Sequence, residues 1–332
     1  MPDITIPKDS TSSADDGDTG QDAADAVLTF RLPVSTPSDR LDKILAQLLP
    51  QHSRSRLQGW ITDGFVHVND QVAKVRQLVG PGDIIHVQEQ APPESLAFTP
   101  EPVEFAVVAE SPDWIVINKP AGLVTHPGAG NWQGTLLNGL LYRYPELARV
   151  ARAGIVHRLD KDTSGLLVVA RNETAQTHLV RQLQARSVHR LYRALAHGRL
   201  MSGQRIEADI GRDPKVPVRM TSTSPVAPKP AVTHVQPLRQ GCTPDGEPVT
   251  EVACRLETGR THQIRVHLSA LGHPLLGDTL YSGRMLAGAA RQMLHALELR
   301  FEDPTTAEQV HFSVDPPADF QAVCAAIDWE LA

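Results

Sequence analysis

The sequence predicts an α+β protein with two folded parts, and three observations support this prediction. The chain has 332 residues, which is enough for about two domains with cores of their own. Residues 27–88 contain two helical patterns followed by short β-branched runs. From residue 103 onward, short β-branched runs separated by turn residues outnumber the helical patterns.

The composition is that of an ordinary globular protein, with 41% hydrophobic and 21% charged residues. No apolar run reaches the length of about 18 residues that a membrane span needs, so none is expected. The N-terminus lacks the basic start and apolar core of a secretory signal. The three cysteines, Cys242, Cys254 and Cys324, have no CxxC spacing, which favours a reducing compartment. We therefore expect a cytoplasmic protein.

Residues 1–26 are predicted to be a disordered acidic tail. They carry seven aspartates and one lysine, which accounts for the whole net charge of −6. They nearly lack large apolar side chains, so they cannot bury enough surface to offset the entropy of ordering. The rest of the chain is neutral on average. Binding of a polyanion would therefore require its Lys and Arg side chains to gather on one face.

The first folded part, residues 27–88, has the pattern of a small domain of two helices and a hairpin. The predicted elements are an entry strand over 27–34, helices beginning at Arg40 and Arg54, and strands over 65–68 and 84–87. Asp39 and Ser53 precede the two helices and are typical N-cap residues. Residues 89–102 contain four prolines among polar residues and predict an extended linker.

The second part, residues 103–332, alternates predicted strands with a few helices. The pattern predicts strands over 103–108, 114–117, 190–198, 252–256 and 310–312, helices over 135–142 and 172–186, and a C-terminal helix after Pro317. The polar composition of 221–228 and 240–248 predicts two exposed loops. No phosphate-binding P-loop or dinucleotide fingerprint occurs, so nucleotide-driven and redox chemistry are not indicated.

This second part is organised around residues 154–170, where a polar loop separates two apolar runs that are predicted as short strands. The loop has the sequence His157-Arg158-Leu159-Asp160-Lys161-Asp162-Thr163-Ser164. Polar side chains on a loop that a rigid sheet holds are where chemistry tends to occur. On spacing alone, however, a helix cap or a hydrogen-bonded polar corner is the more frequent use of such residues.

Three stretches, in order along the chain, resemble the motifs of RNA pseudouridine synthases, in the branch that modifies large-subunit ribosomal RNA. They are 118–128, the loop and strand at 157–167, and 258–278. Residues 27–88 resemble an S4 RNA-binding domain. Taken together, the likeness to S4 domains and to the synthases covers about residues 38–325. The resemblance implies a mixed, mostly antiparallel sheet with a central catalytic cleft. It also implies that uridines in the RNA are isomerised to pseudouridine.

The resemblance implies roles for ten residues. They are Asp160, Tyr192 and Arg265 in catalysis, Arg158, His157, Lys119 and Arg260 in contacting the substrate RNA or flipping the base, and Arg54, Arg56 and Lys43 in binding RNA through the S4-like part. Asp160 would attack the ribose or remove a ribose proton. A bidentate pair with Arg265 would keep it ionised. Tyr192 would stack on the uracil and take part in removing its C5 proton.

The remaining implied roles concern the RNA and the loop itself. The guanidinium of Arg158 would fill or prop the gap that an extruded uridine leaves. Asp162 would brace the loop through backbone donors. His262 and His267 are five residues apart and lack a third ligand, so no metal is expected. Isomerisation oxidises nothing and transfers nothing between molecules, so no cofactor is expected.

Two other functions fit parts of the sequence. One is a catalytically silent RNA-binding factor in ribosome assembly, against which the presence of Asp160, Tyr192 and Arg265 argues. The other is a glycosidic hydrolase with one carboxylate, which would release free uracil. The expected partner is large-subunit ribosomal RNA or a pre-ribosomal particle, bound by a monomer.

Overall fold

The computed structural model describes residues 27–90, 93–128 and 130–330, and the predicted acidic tail lies outside them. The chain divides into two compact units, one ending at Pro93 and the other beginning at Glu94. Within the described ranges, no helix is both long and apolar enough to cross a membrane.

The first unit consists of two helices against a small antiparallel sheet. Its elements are β1 (Val27–Arg31), β2 (Asp39–Arg40), α1 (Leu41–Leu48), α2 (Arg54–Thr62), β3 (Val66–Val68), β4 (Gln71–Val72), β5 (Leu78–Val79) and β6 (Ile84–Gln88). The sheet has the order β1-β6-β3-β4, and β2 pairs with β5. Asn69 and Asp70 both have positive φ, 49° and 64°, as a two-residue type I′ hairpin between β3 and β4 requires.

One of the two predicted helix caps is confirmed and the other is wrong. The Ser53 side chain accepts a hydrogen bond from the Arg56 N–H and caps α2. The helix α1 instead begins after Arg40, which makes no side-chain cap. Asp39 is part of the short strand β2, and its carboxylate accepts from the Arg40 N–H. Because the helix begins at Leu41, one residue later than predicted, Asp39 precedes the N-cap position and does not cap the helix.

The second unit is built on a ten-stranded sheet. Its elements are β7 (Ala106–Glu110), β8 (Trp114–Lys119), α3 (Leu136–Arg143), β9 (Ser164–Ala170), α4 (Glu173–Gln184), β10 (His189–His197), β11 (Gln204–Glu207), β12 (Ile210–Arg212), β13 (Met220–Thr221), β14 (Val226–Lys229), β15 (Val232–Cys242), β16 (Pro248–Leu256), α5 (Gln263–Ala270), β17 (Leu294–Glu302), β18 (Gln309–Ser313), α6 (Ala318–Ala325) and β19 (Asp328–Trp329). Short 3-10 helices lie at Pro93–Phe98, Pro145–Arg149, Ala151–Gly154 and Thr279–Tyr281.

The main path of this sheet has the order β11-β15-β16-β10-β17-β9-β8-β7, with β18 beside β17 and β19 beside β15. Among the described strands, β9 and β17 pair in parallel and the other neighbours are antiparallel. The predicted α+β class with a mixed, mostly antiparallel sheet is confirmed. The strand β17 lies between β9 and β10, so it separates two strands that follow each other closely in sequence.

Two expectations about loops and strands in this unit are wrong. The run 154–156 is not a strand, since Ile155 forms only an isolated bridge to Val169. Gly154 has a φ of +76°, and a Cβ there would lie 1.8 Å from the Ala170 carbonyl oxygen. The predicted loop over 240–248 is a tight hairpin instead, because β15 continues to Cys242 and β16 begins at Pro248.

Candidate active site

A cleft of about 540 Å³ opens beside β10 and the N-terminal end of α5 in the second unit. Its lining includes both apolar and charged side chains. They are His126, Arg152, Ile155, Val156, His157, Arg158, Leu159, Asp160, Thr163, Val180, Leu183, Gln184, Arg186, Arg190, Tyr192, Leu256, Glu257, Thr258, Gly259, Arg260, Thr261, His262, Gln263, Ile264, Arg265 and Leu294. Of the seven site residues predicted in the second unit, six line this one cleft, and the exception is Lys119.

Asp160 lies in the polar loop before β9, with 14% of its side chain exposed. Its Oδ2 accepts a hydrogen bond of 3.0 Å from Nη1 of Arg265. Its Oδ1 lies 4.0 Å from Nε2 of His262, too far for a hydrogen bond. Among the described residues, one donor thus holds the carboxylate, and its other oxygen stays available to a molecule in the cleft.

Arg265 lies in α5 with its side chain 7% exposed, and it contacts two carboxylates. Nε and Nη2 donate to the two oxygens of Asp278, at 2.7 and 2.9 Å. The predicted bidentate pair with Asp160 is therefore wrong: the bidentate partner is Asp278, and Asp160 receives a single hydrogen bond. Burial alone would lower the pKa of Arg265, but the two carboxylates outweigh burial and raise it.

Asp278 was missed as a site residue because Gly277-Asp278 has the pattern of a turn that ends a helix. Its side chain is 1% exposed. Because a bidentate pair fixes the plane of a guanidinium, Asp278 determines the direction in which Nη1 of Arg265 points. One signal could have indicated Asp278. A buried arginine has five N–H groups, so Arg265 needs a second acceptor besides Asp160.

His262 and Tyr281 form a second support beside Asp160 that the sequence did not indicate. His262 precedes α5 in a left-handed conformation, with φ 57°. The Tyr281 hydroxyl accepts from the Met220 N–H at 2.9 Å and lies 2.8 Å from Nδ1 of His262. The hydroxyl and the ring are therefore hydrogen-bonded, which holds the imidazole of His262 beside Asp160. Burial lowers the pKa of His262, which favours the neutral imidazole.

Tyr192 lies on β10 with 5% of its surface exposed, and it lines the cleft with Leu294. Burial raises the pKa of its hydroxyl, so the phenol is neutral at neutral pH. A flat ring with an aliphatic neighbour suits the stacking of a planar base. A neutral phenol is a weak base, which does not favour the predicted part of Tyr192 in proton removal.

The structure contradicts the predicted RNA contact of Lys119. Its side chain is fully buried, and Nζ donates to the carbonyl oxygens of Pro120, Leu123 and Lys161 at 2.8 to 3.0 Å. Burial lowers its pKa to about 7, while the charges of Asp160 and Asp162 act in the opposite direction. All three ammonium hydrogens have acceptors, so Lys119 holds the polar loop from below and does not face the cleft.

Two further residues of the loop also differ from expectation. His157 lines the cleft, but its Nε2 accepts a hydrogen bond of 3.1 Å from the Val168 N–H. Burial and the charge of Arg190 lower its pKa to about 3, so the imidazole is neutral. In the described residues no hydrogen bond involves the Asp162 side chain; its carbonyl oxygen accepts from Arg291 at 2.9 Å. The predicted bracing by the Asp162 carboxylate is therefore wrong.

Arginines give the rim of the cleft a positive charge. Arg158 and Arg260 are exposed, as are Arg152 and Arg186. Arg260 donates to the Pro230 carbonyl oxygen at 3.1 Å, and in the described part of the chain Arg158 has no hydrogen bond or ion pair. Among the described lining residues there are six arginines and two acids, which gives the neutral body of the chain a basic surface.

In the first unit, the three basic residues predicted to bind RNA all have partners within the protein. Arg54 donates twice to the buried carboxylate of Asp42, and Arg56 donates to the Gln90 carbonyl oxygen. Lys43 lies 3.3 Å from Asp39. The side chains of Lys43 and Arg54 remain about half exposed, so both can still reach a phosphate. Their binding of RNA stays a prediction.

Replacing Asp42 with alanine is expected to destabilise the first unit by about 2–3 kcal/mol, since it removes hydrogen bonds between charged groups. Burial alone would raise the pKa of Asp42, but hydrogen bonds from Arg54, Gln58 and Arg40 lower it to about 2. The lowered pKa contributes stability above pH 4 that is lost as the pH falls from about 4 to 2. Chemical denaturation at pH 7 and pH 3 measures both effects. If the wild-type denaturation midpoint were equal at the two pH values, the expected loss of stability at low pH would be contradicted.

In the described part of the chain, no group of three His, Cys, Asp or Glu side chains could hold a metal ion. His267 is one of the histidines that suggested such a site. It is buried, and its ring nitrogens face the Thr233 hydroxyl and the Ala208 carbonyl oxygen. It therefore belongs to the packing of α5 against the sheet.

Comparison with known proteins identifies both units. Residues 39–85 match the family model of the S4 domain, and residues 113–270 match that of RNA pseudouridylate synthase. The chain is 47% identical, over 90% of its length and 81% of the relative, to a ribosomal large subunit pseudouridine synthase D of Neisseria meningitidis serogroup B. It is 45% identical to the protein of that name in Vibrio parahaemolyticus, over 92% of this chain and 96% of the other.

A solved structure gives the same result for the fold of the larger unit. The human protein RNA pseudouridylate synthase domain containing 1 matches 73% of this chain and 91% of its own, with 33% identity and a TM-score of 0.54. The chain therefore belongs to the RNA pseudouridylate synthase family, as a member with an S4 domain before its catalytic domain.

Proposed function

We propose that this enzyme isomerises uridines of large-subunit ribosomal RNA, with Asp160 as the carboxylate that acts on the ribose. The observation that carries the assignment is the carboxylate of Asp160 in a basic cleft, held by one hydrogen bond from Arg265 and with Oδ1 free. The RNA is inferred from the names of the relatives, which are ribosomal large subunit synthases. The S4 domain supports an RNA substrate over a free nucleoside.

The chemistry requires few groups from the protein. The N1–C1′ bond of the uridine breaks, the uracil turns, and a C5–C1′ bond forms. The base loses the hydrogen of C5 and gains one at N1, so no oxidant or second substrate is consumed. Asp160 serves either as a nucleophile at C1′ or as a base toward a ribose proton. Both routes need an ionised carboxylate, which the Arg265 cation stabilises.

The cleft must also keep the detached base in place until the new bond forms. We assign this function to the ring of Tyr192, which is buried and rigid on β10 and has Leu294 beside it. The neutral phenol stacks on the uracil and does not repel it by charge. Because burial raises the pKa of Tyr192 and keeps its phenol protonated, we assign stacking and not proton removal to this residue.

A uridine in folded RNA must leave its stack before Asp160 can reach its ribose, which costs a few kcal/mol. Arg158 supports this step, because its exposed guanidinium at the rim has no intramolecular partner in the described residues. Its planar guanidinium can replace the base in the stack. Arg260, also exposed at the rim, is suited to contact a phosphate, and His157 lines the same cleft.

The S4 domain is proposed to bind RNA phosphates through Lys43, Arg54 and Arg56, so affinity should fall as the salt concentration rises. The partner is free large-subunit ribosomal RNA or a pre-ribosomal particle. We propose that the enzyme acts in the cytoplasm as a monomer. Since the reaction consumes no second substrate, we propose that no cofactor is required.

Carbodiimide mapping of ribosomal RNA from cells that lack this protein tests the proposal. At least one pseudouridine of the large subunit should be lost, and a plasmid with the wild-type chain should restore it. A plasmid with Asp160→Asn should not. An unchanged set of pseudouridines would refute the proposal. If growth recovered equally with both plasmids and the map did not change, the non-catalytic assembly factor would be the better description.

A further inference from the structure

Arg190 is a buried cation of the cleft that the proposed mechanism does not use. It lies on β10 two residues before Tyr192, so both side chains are on the same face of the strand. Arg190 is 6% exposed and lines the cleft. Its single hydrogen bond in the described structure joins Nη2 to the Glu257 carbonyl oxygen at 3.3 Å, and its Nε has no partner.

The other arginines of the cleft are either paired or exposed. Arg265 has two carboxylate partners, and the exposed Arg186 donates to the Glu257 carboxylate at 2.9 Å. Nε2 of His234 lies 2.6 Å from the other oxygen of that carboxylate, so both of its oxygens already have partners. Among the described arginines that line the cleft, Arg190 is therefore the one that is buried without a carboxylate.

A buried guanidinium without a counter-ion is costly, because charged groups lose hydration and arginine cannot discharge by losing its proton. Burial lowers the pKa of Arg190, but from so high a value that the group remains charged. The absence of a side chain at Gly259 leaves room for the guanidinium of Arg190. A Cβ on Gly259 would lie 2.7 Å from Nη1 of Arg190, so a side chain at that position would displace the guanidinium.

We propose that Arg190 binds a backbone phosphate of the RNA next to the flipped uridine. The two Cα atoms of Arg190 and Tyr192 are about 7 Å apart along the strand, which suits a base on the tyrosine and an adjacent phosphate on the arginine. An anion would satisfy both the charge and the free N–H groups, whereas a uracil carbonyl would satisfy only the hydrogen bonding. This inference rests on the proposed function.

The salt dependence of kcat/KM for an unmodified large-subunit ribosomal RNA transcript tests the proposal. Arg190→Met should lower kcat/KM by about 10- to 100-fold, the effect of losing a hydrogen bond to a charged group. It should also make the slope of log kcat/KM against log salt shallower by about 0.7–0.9, the change expected for one phosphate contact. Arg190→Lys should keep the wild-type slope and recover part of the activity.

The matched control is Arg300→Met, since Arg300 is on β17, is paired with Glu298 and does not line the cleft. It should leave activity and slope unchanged.

A purely structural Arg190 would behave differently: Arg190→Met would lose thermal stability and keep the wild-type slope. We expect the free Arg190→Met enzyme to melt no lower than the wild type, because an apolar side chain replaces an unpaired buried charge. A lower melting temperature with an unchanged slope, or a failure of this variant to fold, would overturn the proposal.

Neutral methylphosphonates distinguish a phosphate ligand from a base ligand. They are placed one at a time at the phosphates flanking the modified uridine, in a short RNA that the wild type converts. At one of these positions, the methylphosphonate should reduce the activity of the wild type but should not reduce the activity of Arg190→Met any further. Additive losses at every position would contradict the phosphate contact. Failure of the wild type to convert ribosomal RNA at all would instead refute the proposed function, so the two failures are distinguishable.

Discussion

Asp160→Asn is expected to reduce turnover by a factor of about 1,000 or more, while binding of RNA changes little. The amide keeps the size of the side chain and can still accept a hydrogen bond from Arg265, but it carries no charge and is a poor nucleophile and base. Loss of a group that acts directly on the substrate commonly costs this much. Tritium release from RNA labelled at C5 of uridine measures turnover, and a gel-shift titration measures binding.

The matched control for this variant is Asp162→Asn, two residues away on the same loop. In the described residues the Asp162 side chain accepts no hydrogen bond, so the change should leave turnover within a few-fold of the wild type. Full tritium release by Asp160→Asn would remove Asp160 from the mechanism. A loss of the same size in both variants would show that the charge of the loop matters more than the position of one carboxylate.

Asp278→Asn is expected to lower kcat by about 10- to 100-fold with little change in KM. The amide nitrogen of asparagine would face one N–H of Arg265, so the bidentate pair that directs Nη1 toward Asp160 would be lost. Misplacement of a catalytic group by about 1 Å has effects of this size. Since the pair is buried, we also expect a loss of stability of about 1–3 kcal/mol.

Glu247→Gln provides the control for Asp278→Asn, because Glu247 forms a bidentate pair with Arg284 that is exposed and outside the cleft. Exposed pairs contribute about 0–1 kcal/mol, so stability and kcat should stay near wild type. The kinetic split distinguishes positioning from binding. If Asp278→Asn raised KM and left kcat unchanged, Asp278 would act on RNA binding and its positioning role would be excluded.

Most of the helices and strands could be predicted because their apolar periodicity reflects packing that local sequence determines. The cap at Ser53 and the turn at Asn69-Asp70 are local in this sense. The failures depend on distant contacts. Asp39 is extended because β2 pairs with β5, and the run at 154–156 is not a strand because Gly154 packs directly against the backbone of Ala170.

The site shows the same division between local and distant determinants. The resemblance to pseudouridine synthases indicated Asp160 and Arg265, and the structure places them in contact. It could not show that Asp278 is the bidentate partner of Arg265, because one spacing of charges permits several pairings. Lys119 illustrates the opposite error: a lysine in a glycine-rich loop has the pattern of a phosphate ligand, and only its complete burial excludes that use.

The position of β17 in the sheet has a consequence for synthesis of the chain on the ribosome. Because β17 lies between β9 and β10, a nascent chain that ends before Leu294 cannot close the sheet between the loop of Asp160 and the strand of Tyr192. Pairings between such distant segments form late. Catalytic competence would thus be acquired only after β17 has been synthesised, so a nascent chain beside ribosomal RNA that lacks this strand would be unable to modify it.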